Sequence, residues 1–266
     1  MKRLNRMLIC NRGEIAIRIA EAAASLGMET VSIYAAIDRT SRHTSVTTKS
    51  VQIAAVDGVA AYLDIEAVLD VAKTEACDCV HPGYGFLAEN ALFAERCQEE
   101  GIVFVGPGPS ALALFGDKVR ARDLARKLNV PLVPGSETEL HSLTDAVDAA
   151  DQIGYPVMLK ATAGGGGRGI RRVESHDELA NAFERCRSEA ASAFGDGTLF
   201  MEKLVVGPRY IEVQVLADSQ GETIHLYERD CSVQIRNQKV IEVAPAFSLT
   251  DELRVKLHQD AVELVK

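Results

Sequence analysis

A glycine-rich loop is the part of this sequence whose composition most directly indicates chemistry. Gly164–Gly169 fits the pattern G-x-G-x-x-G, but a dinucleotide site also requires a helix directly after the loop. The next residues, Ile170–Val173, read as a strand, and Ile170 and Arg171 are not the Lys and Ser/Thr of a P-loop. We therefore interpret the loop as a flap between two strands, whose backbone N–H groups can close over phosphates. The alternative is a flexible hairpin without a ligand, although each glycine costs about 0.5–1 kcal/mol relative to alanine.

Two lysines are candidate partners for such phosphates. Lys160 lies on the predicted strand that leads into the loop, and Lys118 lies at the first helix of the second part of the chain. An ammonium group pairs with a phosphate as a point charge. Each lysine alone is as well explained as an ordinary solvated side chain. Together with the glycine loop, they predict a polyphosphate site.

A third candidate segment, Met201–Leu204, ends a predicted strand and precedes a Gly-Pro turn. The backbone after such a strand can pair with the edge of adenine, and the Glu202 carboxylate can accept a hydrogen bond from the amino group of the base. From these residues alone, a strand with one solvated face is the simpler interpretation.

The segment from Glu228 to Lys239 is unusually polar for a stretch between two apolar runs. Its cations, Arg229, Arg236 and Lys239, predict an anion site suited to a phosphate or a small carboxylate. An exposed charged loop with internal salt bridges is an equal alternative.

Other reactive side chains have simpler explanations. His81 lies in the turn sequence His-Pro-Gly-Tyr-Gly without an acidic or nucleophilic residue at the spacing of a triad, so we expect it to hold the turn or to line a cleft wall. Cys77 and Cys79 are two positions apart, but no second pair completes a zinc site. We expect all six cysteines to be reduced and mostly buried.

The first 115 residues carry the elements of a parallel sheet. Strands are predicted at 7–10, 30–35, 79–80 and 102–105, and helices at 15–26, 65–75 and 89–100. Strand–helix units of this length predict a parallel sheet with helices on both faces. We therefore predict a Rossmann-like α/β domain at residues 1–115.

The remaining residues, 116–266, change to an α+β pattern with antiparallel hairpins. Helices are predicted at 111–128, at 145–153, from a capping box at Ser175–Glu178 to residue 193, and from residue 250 onward; strands are predicted at 155–162, 170–173, 199–204, 209–217 and 223–227. The last helix has an apolar stripe, Leu253, Leu257, Ala261 and Leu264. It reaches Lys266 without a capping residue, which we interpret as a boundary inside a larger protein.

Composition disfavours several classes of partner. The chain has 47% hydrophobic and 25% charged residues, a net charge of -9, and scattered rather than clustered cations. Such a surface repels nucleic acid and anionic lipid, so neither is expected as a partner. No apolar run is long enough to span a membrane, and the basic start is followed by a run far shorter than that of a signal peptide. We expect a cytoplasmic protein.

Eight blocks of the sequence resemble biotin carboxylases in order and spacing. They are Asn11–Ala16, His81–Phe86, Phe104–Pro107, Gly116–Lys118, Gly164–Gly169, Met201–Lys203, Ile211–Val215 and Glu228–Ser232. Each block alone identifies the family only weakly, but eight blocks in the same order and spacing identify it specifically. Together they cover essentially the whole chain. The resemblance implies an ATP-grasp enzyme, with a nucleotide held between two α+β subdomains. One of these is a mobile lid carrying the glycine flap, here residues 134–205, in an ATP-grasp domain whose C-terminal part is missing.

The resemblance also implies site residues. Those assigned to the nucleotide are Lys118, Lys160, Gly166, Gly167, Glu202, Lys203, Leu204, Tyr210 and Asn237. The lysines at 118 and 160 would contact phosphates beneath the two glycines, and residues 202–204 would bind adenine. Lys239 would be the catalytic residue and would face bicarbonate or the transferred phosphoryl group.

The implied substrates are ATP with Mg²⁺, bicarbonate, and biotin on a carrier domain. Bicarbonate would attack the γ-phosphate to form carboxyphosphate, which delivers carbon dioxide to the ureido nitrogen of biotin. The implied partners are a biotin carboxyl carrier domain, a carboxyltransferase and a second copy of the chain. The final acceptor, whether pyruvate, acyl-CoA or urea, stays open.

The sequence departs from the family pattern at several positions. Tyr210 and Asn237 stand where the family usually has histidine, and Ile235 replaces an arginine. The resemblance places the metal-binding carboxylates and a catalytic Glu/Arg cluster outside these 266 residues. We therefore expect no metal ligand here, at best weak nucleotide binding, and no turnover by this chain alone.

Three other functions compete with this interpretation. Another ATP-grasp carboxylate ligase is disfavoured by the block at Glu228–Ser232. A non-catalytic nucleotide-binding or assembly module fits the same nucleotide site. A nicotinamide-dependent dehydrogenase is disfavoured by the strand after the glycine loop.

Overall fold

The computed structural model describes residues 3–55, 60–162, 169–218, 220–235 and 238–266. The chain divides into two compact units, Met1–Gly116 and Asp117–Lys266. Within the described ranges, no helix has the length and apolar character needed to cross a membrane.

The first unit is built on a parallel sheet. Its elements are β1 (Arg6–Ile9), α1 (Gly13–Ser25), β2 (Glu29–Tyr34), β3 (Lys49–Gln52), α2 (Ile65–Thr74), β4 (Cys79–His81), α3 (Ala91–Glu99), β5 (Val103–Phe104) and α4 (Pro109–Gly116). The five strands follow the order β3-β2-β1-β4-β5, and every neighbouring pair is parallel. The predicted Rossmann-like domain is thereby confirmed. The edge strand β3 was not predicted, because its sequence Lys-Ser-Val-Gln has too few apolar residues to show a period.

Helices cover both faces of this sheet, as the alternation of strand residues requires. Met7 and Ile9 pack against α1, in a cluster that includes Ile19. Leu8 and Val80 face the opposite way and pack with residues of α2 and α3. A strand buried on both sides reads as a continuous apolar run, which explains why residues 7–10 lack a polar face.

The second unit contains two antiparallel three-stranded sheets. Its elements are α5 (Lys118–Lys127), α6 (Leu143–Ile153), β6 (Val157–Ala161), β7 (Ile170–Val173), α7 (His176–Phe194), β8 (Leu199–Lys203), β9 (Ile211–Ala217), β10 (Thr223–Ile235), β11 (Gln238–Val243) and α8 (Asp251–Val265). The strand orders are β7-β6-β8 and β11-β10-β9. The predicted α+β class of this part is confirmed.

The single helix predicted over residues 111–128 is wrong, because Asp117 divides it into α4 and α5. The Asp117 side chain accepts hydrogen bonds from the backbone N–H groups of Val119 and Arg120, both at 3.0 Å. An aspartate in this position is an N-cap, which begins a new helix and directs Lys118 into its first turn.

The capping box predicted at the start of α7 is also wrong. Ser175 is the N-cap of that helix but makes no side-chain capping hydrogen bond, and Glu178 accepts from the N–H of Glu174 at 3.0 Å instead. A reciprocal box occurs at α6, where Ser142 Oγ accepts from Asp145 N at 3.2 Å and Asp145 Oδ2 accepts from Ser142 N at 2.9 Å. The shorter aspartate at the third helical position hid it from the sequence pattern.

Strand β10 is much longer than predicted. It continues from the predicted end at Tyr227 through the polar segment to Ile235, with a register irregularity between His225 and Glu228. The polar residues that suggested a loop are accommodated in the sheet by ion pairs with neighbouring strands. The predicted loop interpretation of residues 228–235 is therefore wrong.

The buried face of α8 differs from its predicted apolar stripe. Leu253 is 47% exposed, whereas His258 is only 7% exposed and is the most buried residue of the helix. His258 faces Glu228 on β10, with Nε2 and Oε2 2.6 Å apart. A polar pair therefore takes the central position that hydrophobic periodicity assigned to leucine.

Candidate functional site

The glycine loop joins two antiparallel strands, as predicted. Lys160 on β6 is in register with Ile170 on β7, and the Ala161 N–H donates to the Gly169 carbonyl at 2.8 Å. The ends of the loop are therefore adjacent, with the loop beyond them as the hairpin connection. Gly166 and Gly167 lie outside the described residues, and their contact with phosphates stays a prediction.

Gly169 closes the base of this loop in a conformation that requires glycine. Its φ is +64°, and an added Cβ would lie 2.9 Å from the Cβ of Ala161. Its carbonyl also accepts a contact from the buried Cys186 Sγ at 3.2 Å. The loop therefore leaves the sheet from a fixed point beside Lys160.

Lys160 has a carboxylate partner within the chain. Its Nζ donates to Glu202 Oε2 on the neighbouring strand β8. Glu202 Oε1 also lies 3.6 Å from Nη1 of Arg122, which is on α5. Glu202 therefore lies between two cations from different elements, and one of them is the predicted phosphate ligand.

Lys118 lies next to Lys160 at the start of the loop. Its Nζ donates to the Ala161 carbonyl at 3.1 Å, one residue beyond Lys160. Burial lowers the pKa of Lys118, and the charge of Lys160 lowers it further. Two ammonium groups close enough to influence each other create a local positive potential, which favours a polyanion. The structure thus brings together both lysines that the sequence predicted.

The backbone groups predicted to bind adenine are partly engaged elsewhere. The Lys203 N–H donates to the Pro134 carbonyl at 2.7 Å, and the Leu204 N–H donates to the Pro156 carbonyl at 3.0 Å. Neither N–H is available to a base without breaking these bonds. The next N–H along the chain, that of half-exposed Val205, donates to no described group. Val205 was missed because nothing in its residue type indicates a free backbone donor.

The side chain of Lys203 has a structural contact that the sequence did not indicate. Its Nζ donates to the carbonyl oxygens of Gly154 at 2.9 Å and Tyr155 at 2.7 Å, directly after α6. A cation at a helix C-terminus is favoured by the helix dipole and satisfies carbonyls that lack helical partners. The predicted contact of Lys203 with adenine stays a prediction.

Lys239 and Arg229 converge, but a carboxylate of the chain lies between them. Lys239 Nζ is 2.6 Å from the carboxylate of Glu212, and Arg229 Nη2 is 3.1 Å from the same group. Arg229 Nε also donates to Glu242 at 2.8 Å. The hydrogen bond that Lys239 donates to Glu212 raises the pKa of Lys239. The alternative of internal salt bridges is confirmed here, on strands rather than on a loop.

Two further residues of this region, Tyr210 and Asn237, were predicted to bind the nucleotide. Tyr210 precedes β9, and its backbone N–H donates to Ser232 Oγ at 3.0 Å. Its side chain is half-exposed, and its contact with a nucleotide stays a prediction. Asn237, like Arg236, lies outside the described residues.

A buried ionic cluster in the second unit was missed by sequence reasoning. Glu228 is 0% exposed and contacts both Arg254 and His258 of α8. The available signal was an Arg and a His spaced four apart, on one face of a helix. These contacts attach α8 to the sheet of β10.

In the first unit, an ion pair closes the position where a dinucleotide fold would bind ribose. Asp38 follows β2 and is buried, and it accepts from Arg12 Nε and from the Tyr62 hydroxyl, each at 2.7 Å. An acidic residue after the second strand must be free to hold a ribose hydroxyl. Its engagement with Arg12 disfavours the dehydrogenase alternative.

The remaining candidate residues are inert or structural. His81 Nδ1 accepts from the Gly83 N–H at 3.1 Å, so the prediction that it holds the turn is confirmed. All six cysteines are buried and unpaired, as predicted. In the part of the chain that the structure describes, no group of three or more His, Cys, Asp or Glu side chains is placed to hold a metal ion.

Two family models match the chain and together cover most of it. The model described as "Biotin carboxylase, N-terminal domain" matches residues 3–112, and "Carbamoyl-phosphate synthase L chain, ATP binding domain" matches residues 117–266. Among curated proteins, the chain is 48% identical over 261 residues to biotin carboxylase 2 of Bacillus subtilis, covering 98% of this chain and 59% of that protein. It is also 48% identical over 266 residues to the pyruvate carboxylase of the same organism, covering 99% of this chain and 23% of that protein.

Solved structures of the same kind have a closely similar fold. The biotin carboxylase of Campylobacter jejuni, in a complex with β,γ-ATP, superposes with a TM-score of 0.94 at 42% identity, over 98% of this chain and 59% of that one. The biotin carboxylase domain of the Hydrogenobacter thermophilus 2-oxoglutarate carboxylase, a dimer with MgADP, ADP and bicarbonate, has a TM-score of 0.94 at 44% identity. The match covers 99% of this chain and 58% of that domain's chain.

The chain thus spans 59% of the length of one biotin carboxylase and about a quarter of a pyruvate carboxylase. Both parts of the sequence match family models in the expected order, and the fold agrees with solved members. The chain belongs to the biotin carboxylase family, and its second unit is an ATP-binding domain of the kind found in the carbamoyl-phosphate synthase L chain.

Proposed function

We propose that this chain is the nucleotide-binding part of a biotin carboxylase, which uses ATP and bicarbonate to carboxylate biotin on a carrier domain. One observation carries the proposal: Lys118 and Lys160 meet at the end of β6, where the glycine loop leaves the sheet. Two cations beside a loop rich in backbone donors suit a polyphosphate. The Campylobacter and Hydrogenobacter relatives, which hold nucleotides, support the same assignment.

The proposed binding mode divides the nucleotide between three groups of residues. Lys118 and Lys160 neutralise the phosphates, and the N–H groups of Gly166 and Gly167 cover them. The carboxylate of Glu202 accepts from the amino group of adenine, and the N–H of Val205 is the backbone donor that can meet the base edge. Residues 134–205 form the lid that carries the glycine loop. Closure of this lid excludes water from a labile intermediate.

The proposed chemistry begins at the γ-phosphate. A bicarbonate oxygen attacks the γ-phosphorus, ADP departs, and carboxyphosphate forms. Decomposition of carboxyphosphate releases carbon dioxide and phosphate. The phosphate takes the proton of the ureido nitrogen of biotin, and that nitrogen bonds to the carbon dioxide. Lys239 neutralises negative charge on bicarbonate or on the transferred phosphoryl group. Because Glu212 holds Lys239, this role requires that the ammonium turn from that carboxylate to the substrate.

Magnesium accompanies ADP in the Hydrogenobacter relative. The described residues here contain no cluster of carboxylates that fits such an ion, so none of the steps above is assigned to it.

We further propose the partners of the complete protein. A carboxyltransferase and a biotin carboxyl carrier domain are expected, because pyruvate carboxylase is among the relatives and biotin requires a carrier between two active sites. A homodimer is proposed by analogy with the Hydrogenobacter domain dimer. The expected compartment is the cytoplasm.

Calorimetric titration of this chain with ADP, ATP and adenosine tests the proposal. We expect ADP and ATP to bind weakly, with a preference over adenosine that falls as salt is raised, because the phosphates meet two ammonium groups. We expect no hydrolysis of ATP by this chain alone. The complete protein should release phosphate only when bicarbonate and biotin are both present. Absence of any nucleotide binding at millimolar ADP would overturn the proposal.

A further inference from the structure

Glu202 is shared between two cations that differ in how firmly they are held. Lys160 comes from the strand next to the glycine loop, and Arg122 comes from α5. Glu202 is mostly buried, since its side chain is only 22% exposed. A carboxylate in such a position is costly to leave without a partner. The affinity of an anion that draws Lys160 away therefore depends on whether another cation remains beside Glu202.

Arg122 is fixed by contacts that do not involve Glu202. Its Nη2 donates to the Val133 carbonyl at 2.7 Å, and its guanidinium lies over the Phe200 ring, 5.1 Å from the centroid. Its side chain is only 13% exposed. The guanidinium therefore stays near Glu202 when other partners leave.

The backbone around this arginine leaves room for it. A Cβ on Gly135 would lie 3.0 Å from Nη2 of Arg122 and 2.8 Å from the Met201 carbonyl. The segment at 134–136 also pairs with β8, through the hydrogen bond from Ser136 N to Met201 O at 2.8 Å. The arginine is thus enclosed between α5, this segment and β8, the strand that carries Glu202.

We propose that Arg122 is a positioning residue for nucleotide binding, which keeps Glu202 paired when the phosphates draw Lys160 away. The inference rests on the proposed function. Without Arg122, Lys160 would be the one cation among the described residues within ion-pair distance of Glu202, and a polyphosphate would have to compete with that carboxylate. With Arg122, Lys160 is released to the phosphates, while Glu202 keeps a guanidinium beside it and stays oriented toward the base.

The test measures ADP and adenosine affinity in a double-mutant cycle of R122Q and E202Q. In R122Q, we expect ADP affinity to fall about tenfold, the effect of losing one close ion-pair partner in a largely buried position. Adenosine affinity should stay unchanged, because adenosine does not require Lys160 to move. In E202Q, the amide oxygen still accepts from the base, but Lys160 is no longer held by a carboxylate. R122Q should then have little further effect on ADP affinity.

A matched control is R126Q, one helical turn further along α5. Arg126 contacts Asp123 of the same helix and is half-exposed, so its loss should leave both affinities unchanged. Thermal melts of every variant report the fold. If R122Q does not fold, R122K decides, because lysine cannot both bond the Val133 carbonyl and reach Glu202. Its ratio of ADP to adenosine affinity should fall about threefold.

The outcomes separate this inference from the proposed function. An equal loss of ADP and adenosine affinity, or the same loss in the E202Q background, means that Arg122 acts only on the fold and overturns the inference. An unchanged ratio in R122Q, or in R122K where R122Q is unfolded, also overturns it. If the unaltered chain binds no ADP, the proposed function itself fails.

Discussion

Lys203 donates a hydrogen bond from Nζ to the Tyr155 carbonyl oxygen at 2.7 Å, at the end of α6. Lys160, on the adjacent strand, donates instead to the carboxylate of Glu202. The two lysines of one sheet therefore have different roles. Lys203 donates to backbone carbonyls at the end of a helix. Lys160 instead pairs with a side-chain carboxylate, which a phosphate can replace as its partner.

The substitution K160M should remove phosphate affinity without unfolding the chain. We expect ADP affinity to fall about 10- to 150-fold, since a charged hydrogen bond contributes roughly 1.5–3 kcal/mol. Calorimetric titration with ADP and adenosine measures the effect, and adenosine binding should be preserved. K203M is the comparison: it should lower the free energy of unfolding by about 1–2 kcal/mol and leave ADP affinity unchanged. A loss of ADP affinity in K203M with unaltered stability would instead place Lys203 against the nucleotide.

The substitution E228A should destabilise the chain strongly. Glu228 is fully buried between Arg254 and His258, and its removal leaves a cavity and takes away the carboxylate partner of the partly buried Arg254. We expect the free energy of unfolding to fall by about 3 kcal/mol. Urea unfolding followed by circular dichroism measures this loss. E184A provides the control, because the exposed Glu184–Arg187 pair, at 3.8 Å, should contribute less than about 0.5 kcal/mol. Equal effects of the two variants would contradict the cluster's role.

The stability of the first unit should decrease in acid because of Asp38. The hydrogen bond from Arg12, with a further one from Tyr62, holds the pKa of Asp38 well below its ordinary value of 3.8. The unfolded carboxyl therefore takes up a proton near that value while the folded one stays ionised, so stability is present above it and is lost as the pH falls below it. D38N should show a shallower fall in unfolding free energy between about pH 5 and pH 2. Urea titrations across this range test it, and identical slopes in both proteins would refute the assignment.

The cysteines should be unreactive in the folded chain. Burial raises the pKa of Cys79 to about 12 and that of Cys186 to about 11, so almost no thiolate is present at neutral pH. All six thiols are buried. We expect a thiol reagent such as DTNB to label none of them in buffer and all six in denaturant. Rapid labelling of one thiol in buffer would show local opening at that position.

The sequence by itself determined the family, the class of each unit and the strand–loop–strand setting of the glycines. These properties depend on local signals, because apolar period, turn residues and the order of motifs are written along the chain. The same signals placed Lys160 on the strand before the loop, whereas the approach of Lys118 to it is a tertiary contact. These local signals failed at β3, a short polar edge strand without an alternation of apolar residues. They also failed at Asp117, which divides an apparently continuous helix.

Tertiary structure alone decided which charges meet. Lys160 and Glu202 are 42 positions apart, Lys239 and Glu212 are 27 apart, and His258 and Glu228 are 30 apart. Residue type shows that each is charged or titratable, but periodicity does not show which partner stands opposite once strands pair. For this reason the sequence suggested open anion sites, whereas the fold supplies carboxylates of its own to Lys160, Arg229 and Lys239. The physical cause is that a half-buried charge must be neutralised, and only the packed chain brings a distant counterion close enough to do so.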